Sequence, residues 1–207
     1  MPHPIAQIWQ NRSLLRQMTF RDVRAKYAGS LMGIFWAVIS PLLLLAVFTF
    51  IFAIVFKARF GDHAGIAPSA LYILSGILPW LAFSDGLTRS ATVILENKNL
   101  VTRARFPISV LPAFPVLSAL AGQLIGTVVL IALAALRLVP PGPSIVILPL
   151  LFALQVIITI GLAFAVSAAA AYVRDLIHAL PALLLVWMYA TPVFYPARLV
   201  RKNFGGC

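Results

Sequence analysis

Few side chains in this sequence could carry out acid–base or metal chemistry, and they lie far apart. The 207 residues include five acidic side chains and three histidines. His3, His63 and His178 have no spacing typical of a metal site. The sequence also contains no Gly-rich phosphate-binding loop ending in Lys-Ser or Lys-Thr. We therefore predict no catalytic centre, no metal site and no bound cofactor in this chain.

One carboxylate, Asp85, falls inside a long apolar stretch, which is where ion-coupled carriers hold their acidic residues. Arg89 follows four residues later, so the two side chains share one face of a helix and can form an ion pair. We therefore expect Arg89 to neutralise Asp85. If the protein transports a substrate, we expect the energy to come from another subunit.

The composition excludes an ordinary soluble domain. Hydrophobic residues make up 62% of the chain and charged residues 10%, whereas soluble domains contain about 25% charged residues. The same hydrophobicity excludes a disordered chain. The net charge of +11 would suit nucleic acid if it formed a basic face on a soluble module. The basic residues instead lie in gaps between apolar runs, which predicts a polytopic membrane protein that binds no nucleic acid.

Uncharged stretches define five candidate membrane spans, since a helix needs about 20 apolar residues to cross a bilayer. They cover approximately residues 31–56, 70–92, 110–136, 145–172 and 178–194. The second span contains Pro79, where we expect a bend. Lipid leaves backbone polar groups without water, and the runs show no two-residue alternation, so the spans must be helices. The predicted fold class is all-α transmembrane, as a single domain over residues 1–207.

The distribution of basic residues predicts the orientation of the spans. With five spans, one side of the membrane receives ten basic residues: Arg12, Arg16, Arg21, Arg24, Lys26, Arg89, Lys98, Arg103, Arg105 and Arg174. The other side receives six: Lys57, Arg59, Arg137, Arg198, Arg201 and Lys202. The positive-inside rule therefore predicts a multi-pass protein of the cytoplasmic (inner) membrane with its N-terminus in the cytoplasm.

The N-terminal segment, residues 5–27, mixes apolar and basic side chains. It can form a helix on the cytoplasmic face of the bilayer, with Trp9 as an interfacial anchor. Arg12 and Arg16 interrupt its apolar face, although long basic side chains can extend toward lipid headgroups. The alternative interpretation is a basic leader that only sets the topology.

The loop from Glu96 to Pro107 is the longest polar cytoplasmic segment between spans. It has room for one small helix, which Pro107 would end. Leu100 and Val101 lie beside charged residues. An apolar pair in such a setting suits docking into a groove on a partner protein. Composition alone instead favours a solvated hairpin.

Glycines and aromatic residues indicate how the spans pack. The spacings Gly29–Gly33 and Gly122–Gly126 permit close helix approach, and we expect them to pack the chain's own helices. The numerous aromatic side chains by default contact lipid, the core or the membrane interface. The alternative is a conduit lined by rings whose flat faces meet the CH faces of sugars.

A series of short motifs resembles the ABC-2 type permeases that export polysaccharides such as O-antigen, capsule and teichoic acid. The motifs are Arg21-Asp22-Val23-Arg24-Ala25-Lys26-Tyr27, Gly33-Ile34-Phe35-Trp36, Ser40-Pro41-Leu42, Leu78-Pro79-Trp80, Asn99-Leu100-Val101, Phe106-Pro107, Leu111-Pro112, Arg174-Asp175-Leu176, Thr191-Pro192-Val193 and Tyr195-Pro196. The resemblance runs from about residue 5 to residue 200 and lies in the order and spacing of the motifs.

The resemblance implies a six-span permease subunit that forms a homodimer and binds two ATPase subunits on its cytoplasmic side. ATP and Mg²⁺ would belong to those partners. Residues 5–27 would be an interface helix and 95–106 a coupling helix, and both would touch the ATPase. The family continues after the fifth span with re-entrant gate helices and a sixth span. Only the start of that segment, 195–207, is present here, so we expect an incomplete gate and a shortened or altered C-terminus.

The resemblance also assigns roles to residues. We expect ATPase contact from Arg21, Arg24, Glu96, Asn99, Leu100 and Arg105. We expect a substrate conduit that includes Trp36, Phe52, Trp80, Trp187 and Tyr189.

The predicted function is the membrane subunit of an ATP-driven exporter that moves a lipid-linked polysaccharide and itself catalyses no reaction. Its partners would be the ATPase, a second copy of itself, the glycan substrate and membrane lipid. One alternative is an ABC-2 permease for a drug or a small lipid. Another is a membrane enzyme of lipid-glycan synthesis, and a third is a scaffold or truncated product that transports nothing.

Overall fold

The computed structural model describes residues 4–28, 33–51, 66–102, 106–135 and 143–191. Within these ranges the regular structure is helical throughout, with no strand. The all-α transmembrane fold class predicted from the sequence is confirmed by this helical content and by apolar helices of membrane-spanning length.

Eight α-helices follow one another along the described part of the chain. Two of them, α1 (Pro4–Gln10) and α2 (Arg12–Tyr27), come before the apolar helices. A 3-10 turn at Gly33–Phe35 leads into α3. The remaining helices are α3 (Trp36–Phe48), α4 (Ile66–Glu96), α5 (Lys98–Val101), α6 (Val110–Leu133), α7 (Leu148–Tyr172) and α8 (Asp175–Ala190).

Three described helices are long and apolar enough to cross a membrane: Leu71–Glu96, Val110–Leu133 and Ile145–Tyr172. Two further apolar helices, Trp36–Ile51 and Asp175–Ala190, are shorter. At 1.5 Å per residue each of the shorter helices is about 24 Å long, less than the ~30 Å hydrocarbon core. Each of the five predicted spans thus contains a helix, and the five-span topology stays a prediction.

Helix α8 begins before the predicted fifth span. The span is predicted from about 178, after Arg174 and Asp175, and Asp175 is the first residue of the helix. A carboxylate in the first turn is stabilised by the positive end of the helix dipole, so the charge favours the start of α8 rather than delaying it. Similarly, α4 extends beyond both ends of the predicted span 70–92.

Parts of other predicted segments lie outside the described residues. These parts are 29–32 and 52–56 around the first span, 136 at the end of the third, 192–194 at the end of the fifth, and the gate segment 195–207. Within the description, α6 begins at 110 and α7 ends at 172, as the sequence predicts.

Helix α4 lies at the centre of the bundle and packs against α3, α6, α7 and α8. Gly86 lets α4 approach α6 closely, because a Cβ atom there would lie 3.3 Å from the Cα atom of Val116. Gly126 of α6 likewise leaves room for Leu78, whose Cδ2 atom would lie 3.0 Å from an added Cβ. The expectation that the Gly122–Gly126 spacing packs the chain's own helices is therefore confirmed at Gly126.

The other glycines of the two spacings play different parts. A Cβ atom added at Gly122 would have no atom within 4 Å. Gly33 has φ +50° and equally open surroundings, so it serves a left-handed turn rather than helix packing, and the packing expectation is wrong there. Gly29 lies outside the described residues.

The N-terminal segment forms two helices where one was predicted over 5–27. The break falls at Asn11, which has φ −102° and ψ 25° and whose side-chain amide donates a hydrogen bond to the Gln7 carbonyl at 2.8 Å. Asparagine side chains compete in this way with the helical backbone. The second helix, α2, packs against α6, and its Leu15 and Met18 are buried there.

Candidate functional site

Ion pairs fasten α2 to the central helix α4. The Lys26 ammonium donates a hydrogen bond to Asp85 Oδ2 at 2.8 Å, and the Arg89 guanidinium donates to Asp22 Oδ1. Arg89 also lies 3.8 Å from Asp85, so the pair expected within α4 is present but is the longest of the three. The expected pairing of Asp85 with Arg89 is therefore present, and α2 adds Lys26 as a closer partner of Asp85 and Asp22 as a closer partner of Arg89.

The Asp22–Arg89 pair is the more buried link. The Asp22 side chain is 17% exposed and that of Arg89 is 30% exposed. Burial alone would raise the pKa of Asp22, but the hydrogen bond from Arg89 and the positive charges of Arg89 and Lys26 outweigh it. The pKa of Asp22 is consequently held below its ordinary value of 3.8. Asp22 therefore carries its negative charge at every physiological pH.

A second link joins α1 to the segment that begins α6. The hydroxyl of Ser109 donates a hydrogen bond to Gln7 Oε1 at 2.7 Å. Beside it, apolar residues of the N-terminal helices, including the buried Leu15 and Met18, pack against the buried Val110 and Phe114 of α6. The N-terminal helices are thus held to α4 by charge and to α6 by apolar contact.

The residues expected to contact an ATPase have two locations. Arg21 and Arg24 are exposed on α2, where the Arg24 guanidinium lies 4.2 Å from the centre of the Phe20 ring. Glu96 is the exposed last residue of α4, and Asn99 is exposed on α5. The side chain of Leu100 and all of Arg105 lie outside the description.

The predicted coupling helix at 95–106 lies only partly within the described residues. Leu95 and Glu96 end α4, and Lys98–Val101 form the short helix α5 after a break at Asn97, while 103–105 lie outside the description. The Asn97 side-chain amide donates to the Val93 carbonyl at 2.9 Å and so caps the end of α4. Lys98 and Asn99 of α5 are therefore exposed directly beyond the end of the central helix.

Three aromatic rings cluster where α4 meets α8. The ring centres of Trp80 and Phe83 are 5.5 Å apart, and that of Trp187 lies 6.0 Å and 5.7 Å from them in edge-on orientation. Two of the expected conduit residues, Trp80 and Trp187, are therefore adjacent. Phe83, one helical turn after Trp80, completes the cluster. Its spacing from Trp80 is visible in the sequence, whereas the contact of both rings with Trp187 depends on the packing of α8.

The ring cluster borders a groove of about 450 Å³ between α4, α7 and α8, whose lining also includes Gln155 and Thr159. Trp36 is exposed at the start of α3 and does not line this groove. Tyr189 is exposed near the end of α8. Phe52 lies outside the described residues. The structure thus brings together two of the five expected conduit residues.

Sequence reasoning missed a pair of glutamines inside the bundle. The side-chain amides of Gln123 and Gln155 donate to each other's oxygen at 2.8 and 2.9 Å, and Gln155 also donates to the Pro79 carbonyl at 3.0 Å. Amide pairs of this kind hold membrane helices together, here α6, α7 and α4. The available signal was an uncharged polar residue in each of two apolar runs.

Known proteins are similar in sequence to this chain over nearly its whole length. The O-antigen export system permease protein RfbA of Myxococcus xanthus is 28% identical over 199 residues, which cover 96% of this chain and 74% of that protein. The protein of the same name from Klebsiella pneumoniae is 26% identical over 192 residues, covering 92% and 72% respectively. The ABC-2 type transporter family matches residues 13–204. This chain therefore belongs to the ABC-2 type transporter family.

Proposed function

We propose that this chain is the transmembrane subunit of an ATP-binding-cassette exporter that carries a lipid-linked polysaccharide, of O-antigen or capsule type, across the cytoplasmic membrane. One observation carries the proposal: proteins named as O-antigen export permeases align with 92 to 96% of the chain. The groove bordered by Trp80, Phe83 and Trp187 is consistent with it, because flat rings suit the CH faces of sugars.

The orientation and partners are part of the same proposal. The end of the bundle that bears α2 and α5 faces the cytoplasm, as its basic residues favour. Two ATPase subunits bind there and supply ATP hydrolysis with their own Mg²⁺, and two copies of the permease form the translocation path. The chain itself performs no bond chemistry.

The packing suggests how movement of the ATPases reaches the bundle. Arg21 and Arg24 of α2, together with Glu96, Asn99, Leu100 and Arg105 around α5, form the proposed contact surface. A displacement of α2 acts on α4 through Asp22–Arg89 and Lys26–Asp85, and a displacement of α5 acts on the end of the same helix. Packed helices then move as rigid bodies rather than deform.

A genetic test addresses the substrate. Deleting the gene should abolish the polysaccharide at the cell surface and cause the lipid-linked glycan to accumulate in the cytoplasm, as cell-surface labelling and glycan gels would reveal. Plasmid-borne wild type should restore export, and deletion of the gene for the proposed partner ATPase should reproduce the defect. Normal surface glycan together with lost efflux of a drug or a small lipid would instead support the other kind of ABC-2 permease.

A second test addresses coupling. Arg105→Glu should uncouple ATP hydrolysis from transport, so that the co-purified ATPase still turns over while export falls. Arg174→Glu reverses an exposed charge outside the proposed contact surface and should leave both activities unchanged. Normal coupling in the Arg105 variant would remove that residue from the contact surface.

A further inference from the structure

A groove runs between α2 and α6 beside the N-terminal half of α2. Its volume is about 390 Å³, and its lining is mostly apolar. Phe20 of α2 and Leu117 and Ala121 of α6 form much of its wall, and Arg12 and Arg16 also line it. The groove is thus mostly apolar, with two positively charged side chains on its α2 side.

The two arginines are placed to act together and have no carboxylate partner. They are four residues apart, so they lie on one face of α2, and both are exposed. Across the described residues neither forms an ion pair, and the Arg12 guanidinium rests 5.6 Å from the centre of the Trp9 ring. The one acid on α1, α2 or α6 is Asp22, which Arg89 engages. The local charge at the groove is therefore strongly positive.

A buried hydroxyl inside the groove also lacks a partner. Thr19 lines the groove, and its Oγ1 atom finds no hydrogen-bond acceptor or donor among the described residues. Buried polar groups are ordinarily paired, so this hydroxyl at the wall of the groove has a hydrogen-bonding capacity that the described residues leave unmet.

The groove runs along α6, a helix that is long enough to span the membrane. Leu117 and Ala121 lie about 11 and 17 Å along α6 from its start at Val110, and α6 is one of the helices long enough to cross the bilayer. Trp9 and Phe20, exposed by 71% and 55%, flank the arginines in the way that interfacial aromatic residues flank headgroups. A molecule in this groove would place its polar end at the membrane surface and its apolar part along the span.

We propose that the groove binds one anionic phospholipid of the surrounding bilayer. Its phosphate lies between Arg12 and Arg16, where guanidinium groups form charge-assisted hydrogen bonds, and Thr19 donates to a headgroup or ester oxygen. One acyl chain follows Leu117 and Ala121. The inference goes beyond export, because the site requires neither the glycan nor the ATPase.

Native mass spectrometry of the purified full-length chain in detergent tests the charge requirement. Titrated phosphatidylglycerol should bind more tightly than phosphatidylcholine. The double variant Arg12→Gln/Arg16→Gln should weaken phosphatidylglycerol binding about 10- to 30-fold, the loss expected for two arginines at a lipid surface. Arg174→Gln removes an exposed charge elsewhere and should bind as wild type does.

A second pair of variants tests the groove itself with every charge intact. Ala121→Leu fills the apolar channel and should lower phosphatidylglycerol binding, whereas Ala171→Leu on the exposed side of α7 should not. Equal binding of the two lipids, or no effect of the arginine variant, would overturn the proposal. It would also be overturned if the arginine variant bound phosphatidylglycerol normally but no longer retained the ATPase, because the arginines would then be a protein contact.

Discussion

Arg89 lies between two carboxylates, and its two ion pairs differ in what they connect. The pair with Asp85 stays within α4, whereas the pair with Asp22 joins two helices and is shorter and more buried. Removing one partner of a part-buried pair leaves the other charge without compensation, which costs more than the pair contributes when intact. Asp22 and Arg89 are therefore the charged side chains on which docking of α2 depends most.

A double-mutant cycle should rank the two interhelical ion pairs. Asp22→Asn and Arg89→Gln should each lower the thermal stability of the purified protein, with a coupling free energy of about 1–2 kcal/mol. The cycle on Lys26 and Asp85, whose side chains are 32% and 41% exposed, should give about 0.5 kcal/mol or less because water screens that pair. Equal coupling in both cycles would contradict this ranking.

The lowered pKa of Asp22 predicts how its contribution depends on pH. A carboxyl whose pKa is lower in the folded than in the unfolded state stabilises the protein fully above the unfolded value. That contribution is lost as pH falls through the folded value. The difference in Tm between wild type and Asp22→Asn should thus be constant from pH 8 to pH 5 and should shrink below about 3.8. A difference that already fades near pH 6 would show that another group is responsible.

The helices show which features a single sequence reveals. Uncharged runs located α3, α4, α6, α7 and α8 because the bilayer imposes a length and a polarity on each span. The contacts between helices were not predictable in this way. Asp22 and Arg89 are 67 residues apart in the chain and Gln123 and Gln155 are 32 apart, and only packing decides that they meet. For the same reason the contact of Trp187 with Trp80 and Phe83 is not visible in the sequence, although the spacing of Trp80 and Phe83 on one helix face is.

Close approach of α4 and α6 should make Gly86 intolerant of side chains. Gly86→Val places a branched side chain 3.3 Å from the backbone of Val116 at its first carbon, and overpacking of this kind costs about 1–3 kcal/mol. Gly122→Val is the matched control, since its Cβ meets no atom within 4 Å. Thermal unfolding should show a lower Tm for the first variant only. Similar losses in both would mean that the close approach of α4 to Val116 does not set the effect.

At the scale of the whole molecule, the ring cluster and its groove are the proposed path of the glycan. Trp80→Leu and Trp187→Leu should each lower polysaccharide export about two- to tenfold, the effect of losing one ring contact. Purified yield and ATPase association should be unchanged. Tyr172→Leu alters an aromatic residue that is 90% exposed and does not line the groove, so it should export normally. Unchanged export in both tryptophan variants would remove the cluster from the path.

Helix α4 carries the ionic contacts and the rings on different sides. Nine residues separate Trp80 from Arg89, which at 3.6 residues per turn places them about 14 Å apart along the axis and on nearly opposite faces. A torque applied to α4 through its charged side would consequently move the Trp80 ring in the reverse direction across the groove, relative to Trp187 of α8. Rotation of α4 as a rigid body, with no change in its length or hydrogen bonding, would suffice to widen or narrow the groove beside the ring cluster.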